Sequence, residues 1–384
     1  MLSSWKTLIF SSLLIVFIGL ISIRFLQTSG ADPLDWKSEW QKTNFEKSSI
    51  DFSEILSGGP PKDGIPSIDK PSFVEFSNAD KWLKPNEPVV AVEINSTARA
   101  YPIQIIILHE IVNDEINGTP LTVTFCPLCN SSIVFDRRLE FNGKSYLFDF
   151  GTTGKLRNSD LVMYDRQTES WWQQFIGLSI VGDLTGAKLK VLHSSIISYA
   201  NFKESYPDGK VLSKKTGSIR RYGKNPYVGY DDINNTPFLL QNAPDSRLPP
   251  MERIINVTLD GINKIFPLST IQKEKVVHDR VGKTSLVIFH LPGTSSALDK
   301  AIIADSRDIG AATVFEAVLN GKELFFKTEG DVFVDEQTGS HWNITGRAVK
   351  GPLTGKQLKP IIHGNHFAFA WLAFIPDSLI YGKQ

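Results

Sequence analysis

The sequence predicts a mainly β (α+β) chain: two tandem pseudo-repeat antiparallel β domains with a few short helices, preceded by one N-terminal transmembrane or signal helix. Three observations predict it. Short β-branched runs broken by Gly, Pro and Asn fill the body, as at 89–94, 121–126 and 161–164. Landmarks of the first half recur, in order, in the second. One long apolar run stands at the N-terminus.

The N-terminal run covers 7–23, with Lys6 before it and Arg24 after it. Seventeen residues at about 1.5 Å each approach the ~30 Å of a bilayer core. The same length suits the apolar core of a signal peptide, and Ser29-Gly30-Ala31 is a passable cleavage site. On either reading the body is exported. An uncleaved anchor over 1–30, with the body facing the periplasm or cell exterior, is the expectation. Six Asn-x-Ser/Thr sequons, at Asn95, Asn117, Asn130, Asn234, Asn256 and Asn343, agree with export.

The composition is globular, with 41% hydrophobic and 21% charged residues, and 384 residues suffice for two cores. Lys+Arg and Asp+Glu balance at 41 each, so no field favours nucleic acid, and none is expected as a partner. The basic cluster Lys210, Lys214, Lys215, Arg220, Arg221 and Lys224 reads as a solvated linker.

Residues 31–61 read as a stalk with a short helix. Two units follow, 62–212 and 248–384, joined by a Pro/Tyr/Asn-rich linker over 213–247. Leu83, Pro85, Glu87, Val89, Val92, Pro102, Val112 and Asp114 recur as Leu248, Pro250, Glu252, Ile254, Val257, Pro267, Val277 and Asp279, at a constant offset of 165. Later landmarks recur too: Asn142-Gly143 as Asn320-Gly321, Asp165 as Asp335 and Trp172 as Trp342. Asn142-Gly143 predicts a two-residue hairpin. A short buried helix is expected over 103–112, and further helices over 194–205 and 366–374.

The units differ where chemistry is expected. His109-Glu110 becomes Glu274-Lys275, and matching Phe125 to Phe289 sets His290 against Cys126 and Gly293 against Cys129. The first unit is therefore expected to carry the site. Both cysteines of the chain lie there, in Cys126-Pro127-Leu128-Cys129. Outside the cytoplasm such a pair is a disulfide or a metal site. A loop this short is a poor architectural staple, so reactive chemistry is favoured.

The thiolate is the reactive form, and a neighbouring imidazolium would lower a thiol pKa. Cys126 is expected as nucleophile, Cys129 as resolving thiol, and His109 with Glu110 as the proton-transfer pair. The alternative uses Cys126, Cys129 and His109 to hold copper or zinc. A third reading is a non-catalytic scaffold subunit of a membrane complex. Asp114, Ser131, Arg157 and Asp165 are further candidates. The Gly-rich stretch 150–160 lacks the context of a nucleotide loop and reads as a structural hairpin loop, and Trp172 reads as core.

Lys62-Asp63-Gly64-Ile65-Pro66, Arg99-Ala100-Tyr101-Pro102, His109-Glu110-x-x-Asn113-Asp114, Cys126-Pro127-Leu128-Cys129, Ser159-Asp160-Leu161-Val162-Met163-Tyr164-Asp165 and Asn225-Pro226-Tyr227-x-x-Tyr230 together resemble the DUF3179 family. That family is a set of exported proteins with no agreed function. The resemblance spans about 60–384 and names no substrate. Asn130 stands where the family pattern leads one to expect glycine. The leading expectation is a membrane-anchored extracytoplasmic thiol redox protein acting on an unknown protein partner.

Overall fold

A computed structural model describes residues 33–383. The N-terminal apolar run lies outside them. Among the described residues no helix is long and apolar enough to cross a membrane.

The chain is β-rich, with several antiparallel sheets and a few short helices. Hairpin Pro88–Ile94/Thr97–Pro102 is followed by hairpin Ile111–Ile116/Thr119–Cys126, which Ser131–Asp136 extends. In the second half, Arg253–Leu259/Ile262–Pro267 precedes Val276–Val281/Thr284–Leu291, which Ala311–Glu316 extends. Asn142 and Gly143 both have positive φ, as the predicted tight hairpin requires.

Side-chain alternation explains how these layers stack. On Pro88–Ile94, Val90 and Val92 join a core with Ile103, Val112 and Val123. The alternate residues Val89 and Ala91 join Val287, Phe289 and Phe315 of the second half. Likewise Ile254 packs toward the first half, while Ile255 and Val257 pack with Val277, Ile288 and Val314. Each initial hairpin is thus apolar on both faces and buried between halves. The hydrophobic cores therefore cross the boundary drawn between 62–212 and 248–384.

Four local expectations change. The helix over 103–112 is one turn, Ile103–Ile106, and its end is taken by the strand Ile111–Ile116, because Ile111 and Val112 pair with Thr124 and Val123. Helix 194–205 is a strand, Ser195–Ser198, then a helix, Tyr199–Ser205, because Ile196 and Ile197 pair with the strand containing Val89 and Val90. Similarly, 366–374 begins in the strand His363–Phe367 before the helix Ala368–Phe374. The Gly-rich stretch is the strand Phe150–Arg157, broken by an irregularity between Thr152 and Lys155 where Gly154 takes positive φ.

Two segments expected to be loosely attached are packed. In the stalk, Trp40 is buried and Trp36 half-buried, both against Trp171. The linker is a strap tied to both halves. Asp231 grips Arg253 and Arg307, each at 2.8 Å, in the second half. In the first half Tyr222 bonds His109, and the Phe238 carbonyl accepts from Ser159 Oγ at 2.5 Å.

Candidate functional site: a buried dithiol and a carboxyl

Strand Thr119–Cys126 ends at the first cysteine, and one 3-10 turn, Pro127–Cys129, reverses the chain. Pro127 presets that turn. Asn130 leaves it with φ 49°, a left-handed conformation that Gly adopts freely and Asn tolerates. This explains why Asn stands at a position where glycine is expected. Ser131 then pairs with Cys126 across the ladder, and Asn130 Nδ2 donates to the Asn365 carbonyl and Oδ1, both at 3.2 Å.

Cys126 and Cys129 are free thiols, 1% and 0% exposed. The third member of the site is Asp160, fully buried at the start of the strand Asp160–Asp165. The turn Asn158-Ser159, at φ 50° and 68°, delivers it there. Both sulfurs and one Asp160 oxygen lie within 4.8 Å of one another. Oδ2 of Asp160 accepts from Gln173 Nε2 at 2.6 Å and the Phe175 N–H at 2.9 Å, while Oδ1 has no partner. The Cys126 thiol points to the Ser159 carbonyl, Sγ to O 3.7 Å.

Every titrating group here is held toward its neutral form, chiefly by burial. Burial pushes Cys126 up and Cys129 well up, and the Asp160 charge adds to both. Asp160 itself is raised to about 7 by burial, against hydrogen bonds from Gln173, the Phe175 N–H and the two thiols. Glu110 is raised to about 8 by burial and by Asp160, with Arg220 opposing.

His109 instead joins the first half to the strap. Its Nδ1 donates to the Pro66 carbonyl and its Nε2 accepts from the Tyr222 hydroxyl, both at 2.7 Å. With both nitrogens engaged in the neutral form, and burial lowering its pKa, His109 is not the thiols' charge partner. Nor does it belong to the group of metal-competent atoms around Cys126 and Cys129. Glu110 lies near enough for its charge to act on Cys126, and it takes φ 60° at the bend before the strand Ile111–Ile116.

The other candidates have structural partners. Asp114 binds Arg99 at 2.6 Å and the Tyr101 hydroxyl at 2.5 Å. Ser131 Oγ donates to Gln174. Arg157 pairs with Glu54 at 2.6 Å. Asp165 accepts from Trp172 Nε1 at 2.9 Å and closes a turn through Thr168, and Asp335 repeats this with Trp342 and Thr338. Both tryptophans are fully buried.

The hairpin register also revises the internal comparison. Ile111 pairs with Thr124, and Val276 with Phe289, so the offset of 165 persists to the strand end. His290 therefore stands against Phe125, and Leu291 against Cys126. A one-residue slip had placed His290 on the wrong face. Asp160 escaped sequence reasoning although a signal existed: at the offset of 170 that matches Asp165 to Asp335, it stands against Gly330.

Tyr227 and Tyr230, from the strap, complete the surroundings. Burial raises both phenols, and the charges of Glu110 and Cys126 on Tyr227, and of Cys129 and Cys126 on Tyr230, raise them further. A cavity of about 540 Å³ lies between strap and turn, lined by Leu128, Leu156, Tyr227, Tyr230 and Phe238. Two soft thiolates with a carboxylate can hold zinc or copper, and two adjacent thiols can form a disulfide.

No curated protein matches this chain, and no solved structure does. The model of a family described as protein of unknown function, DUF3179, matches residues 62–378. With most of its length covered, the chain belongs to the DUF3179 family.

Proposed function

We propose that this protein is a membrane-anchored, extracytoplasmic dithiol redox protein whose proton acceptor is Asp160 rather than His109. The observation that carries this reading is the grouping of both sulfurs with the Asp160 carboxylate within 4.8 Å. Buried thiols are poor nucleophiles until deprotonated, and a carboxyl titrating at about 7 beside them is matched to that task. Asp160 takes the Cys126 proton and the Cys126 thiolate attacks a substrate disulfide, forming a mixed disulfide while the displaced substrate sulfur takes that proton and leaves as thiol. Asp160 takes the Cys129 proton, and Cys129 sulfur attacks Cys126 sulfur. The second substrate sulfur takes that proton from Asp160 and leaves as thiol, and the enzyme disulfide holds the oxidation taken from the substrate. The cavity at Leu128 supplies the approach.

The duplication fits this proposal as a division of labour. Glu110 and Lys275 share one backbone geometry (φ 60° and 62°), and their carbonyls accept from Phe125 and His290. We read the halves as copies, of which the first bears the chemistry. The N-terminal run would anchor the body at the membrane.

Redox titration in a glutathione buffer, followed by mass, tests the reading. Oxidation by loss of about two mass units, with a midpoint between roughly −270 and −120 mV, fits a working dithiol. A midpoint below about −300 mV makes the bond a staple, and no disulfide at any potential overturns the proposal. Cys129→Ser is expected to trap a mixed disulfide with substrate and Cys126→Ser is not. Equal trapping by both would sink the roles.

One observation favours a second reading, a zinc or copper centre held by Cys126, Cys129 and Asp160. Oδ1 of Asp160 is buried without a partner, beside two ionisable thiols. A bound cation would satisfy that oxygen and reverse the upward pKa shifts. Native mass spectrometry of protein purified without chelator decides it: a stoichiometric metal lost with Cys126→Ser replaces the redox reading.

A further inference from the structure

Away from the thiols, two histidines from opposite halves meet with unused nitrogens. His193 follows the strand Val191–Leu192, and His363 opens the strand His363–Phe367. Their ring centroids are 5.6 Å apart, with the planes tilted by 56°. Nε2 of each is buried and has no hydrogen-bond partner. They are among the buried side-chain atoms left without a partner in the described residues, as is Ser132 Oγ beside His363, and such groups ask for a reason.

His363 is prepared as a ligand. Its Nδ1 lies 2.8 Å from the Ile361 carbonyl and donates to it, which leaves the lone pair on Nε2. Metal-binding histidines are ordinarily oriented by such a contact to the other nitrogen. Two imidazoles sharing an ion at about 2.0–2.1 Å through Nε2 place their ring centroids about 5–6 Å apart. The observed spacing falls in that range. A small cavity of about 10 Å³ adjoins His363, bounded also by Ser132, Ser194 and Ser195. It has room for about one water beside His363.

We propose that His193 and His363 bind one transition-metal ion of the imidazole-preferring class, Cu(II) or Zn(II), at the seam between the halves. Neutral imidazole is the ligating form. Burial keeps both rings neutral, lowering His193 to about 3 and His363 below its ordinary value against the Ile361 and Ala312 carbonyls. The ion would tie the segment leading into Ser195–Ser198 to the strand His363–Phe367, and it shares no ligand with the cysteine site.

The test uses the full chain in detergent carrying Cys126→Ser and Cys129→Ser, titrated with Cu(II) and, separately, Zn(II). One equivalent is expected, with hyperfine coupling to two nitrogens in the Cu(II) resonance spectrum. His193→Gln or His363→Gln should each lose it, while His341→Gln keeps it. In the wild-type background, which does not depend on the serine variants folding, either glutamine variant should lower the bound metal by one equivalent. The proposal is overturned if no ion binds outside the thiol site, if fewer than two nitrogens couple, or if both glutamine variants bind as the parent does.

Discussion

The Tyr222 hydroxyl lies 2.7 Å from Nε2 of His109, and this contact fastens the strap over the cysteine turn from the first half. Since Nδ1 donates to Pro66, Nε2 must accept, and Tyr222 in turn accepts from Thr216 Oγ1 at 2.5 Å.

His109→Gln should therefore loosen the strap without retuning the thiols. An orphaned buried partner costs about 1–3 kcal/mol, so a drop in folding stability of that order is expected. Alkylation of Cys126 should speed up by a common factor at every pH. If its pH midpoint moves instead, His109 acts on the thiol directly. Tyr222→Phe should mimic the change, and the double variant should cost less than the sum of the two.

A second prediction concerns pH. Folding raises Asp160 from 3.8 to about 7 and Glu110 from 4.5 to about 8. The folded state therefore holds protons that the unfolded chain gives up. Stability is complete below about pH 4, falls as pH rises through the window from 4 to 8, and is lowest above it, by a total on the order of 4 kcal/mol for Asp160 alone. Asp160→Asn and Glu110→Gln should each flatten about half of this slope in metal-free protein. Urea midpoints at pH 5 and pH 8 measure it. Equal midpoints for the wild type would mean that a bound cation or a counter-charge already compensates the carboxyls.

The third prediction concerns Asn130. Its φ of 49° costs a residue with a Cβ roughly 1–2 kcal/mol, which Asn recovers in part through local polar contacts. Asn130→Gly should leave stability within about 1 kcal/mol of wild type, because the gain in backbone ease offsets the lost bond to Asn365. Asn130→Val combines both penalties with a β-branched clash and should cost about 2–4 kcal/mol. Thermal melts of both variants decide it. If Asn130→Gly is the worse of the two, the contact to Asn365, and not the turn, is the reason for Asn.

Local signals in the sequence determined the elements that local physics controls. Alternating β-branched runs set the strands, Asn142-Gly143 set a hairpin, and the cysteine turn declared itself through Pro127. Trp172 and Trp342 were legible as core because each recurs with an aspartate seven residues before it. The helices over 194–205 and 366–374 were misplaced at their first turns, where pairing across the sheet outweighs local preference.

The tertiary structure alone decided the company that the cysteines keep. His109 lies 17 residues before Cys126 in sequence, but its ring is held by the Pro66 carbonyl and the Tyr222 hydroxyl. Asp160 lies 34 residues after Cys126 and arrives at it through a separate sheet. The meeting of His193 with His363 likewise depends on the packing of one half against the other. Backbone periodicity is written in neighbouring residues, whereas the charge and solvation that set a thiol's chemistry depend on residues that only long-range packing brings together.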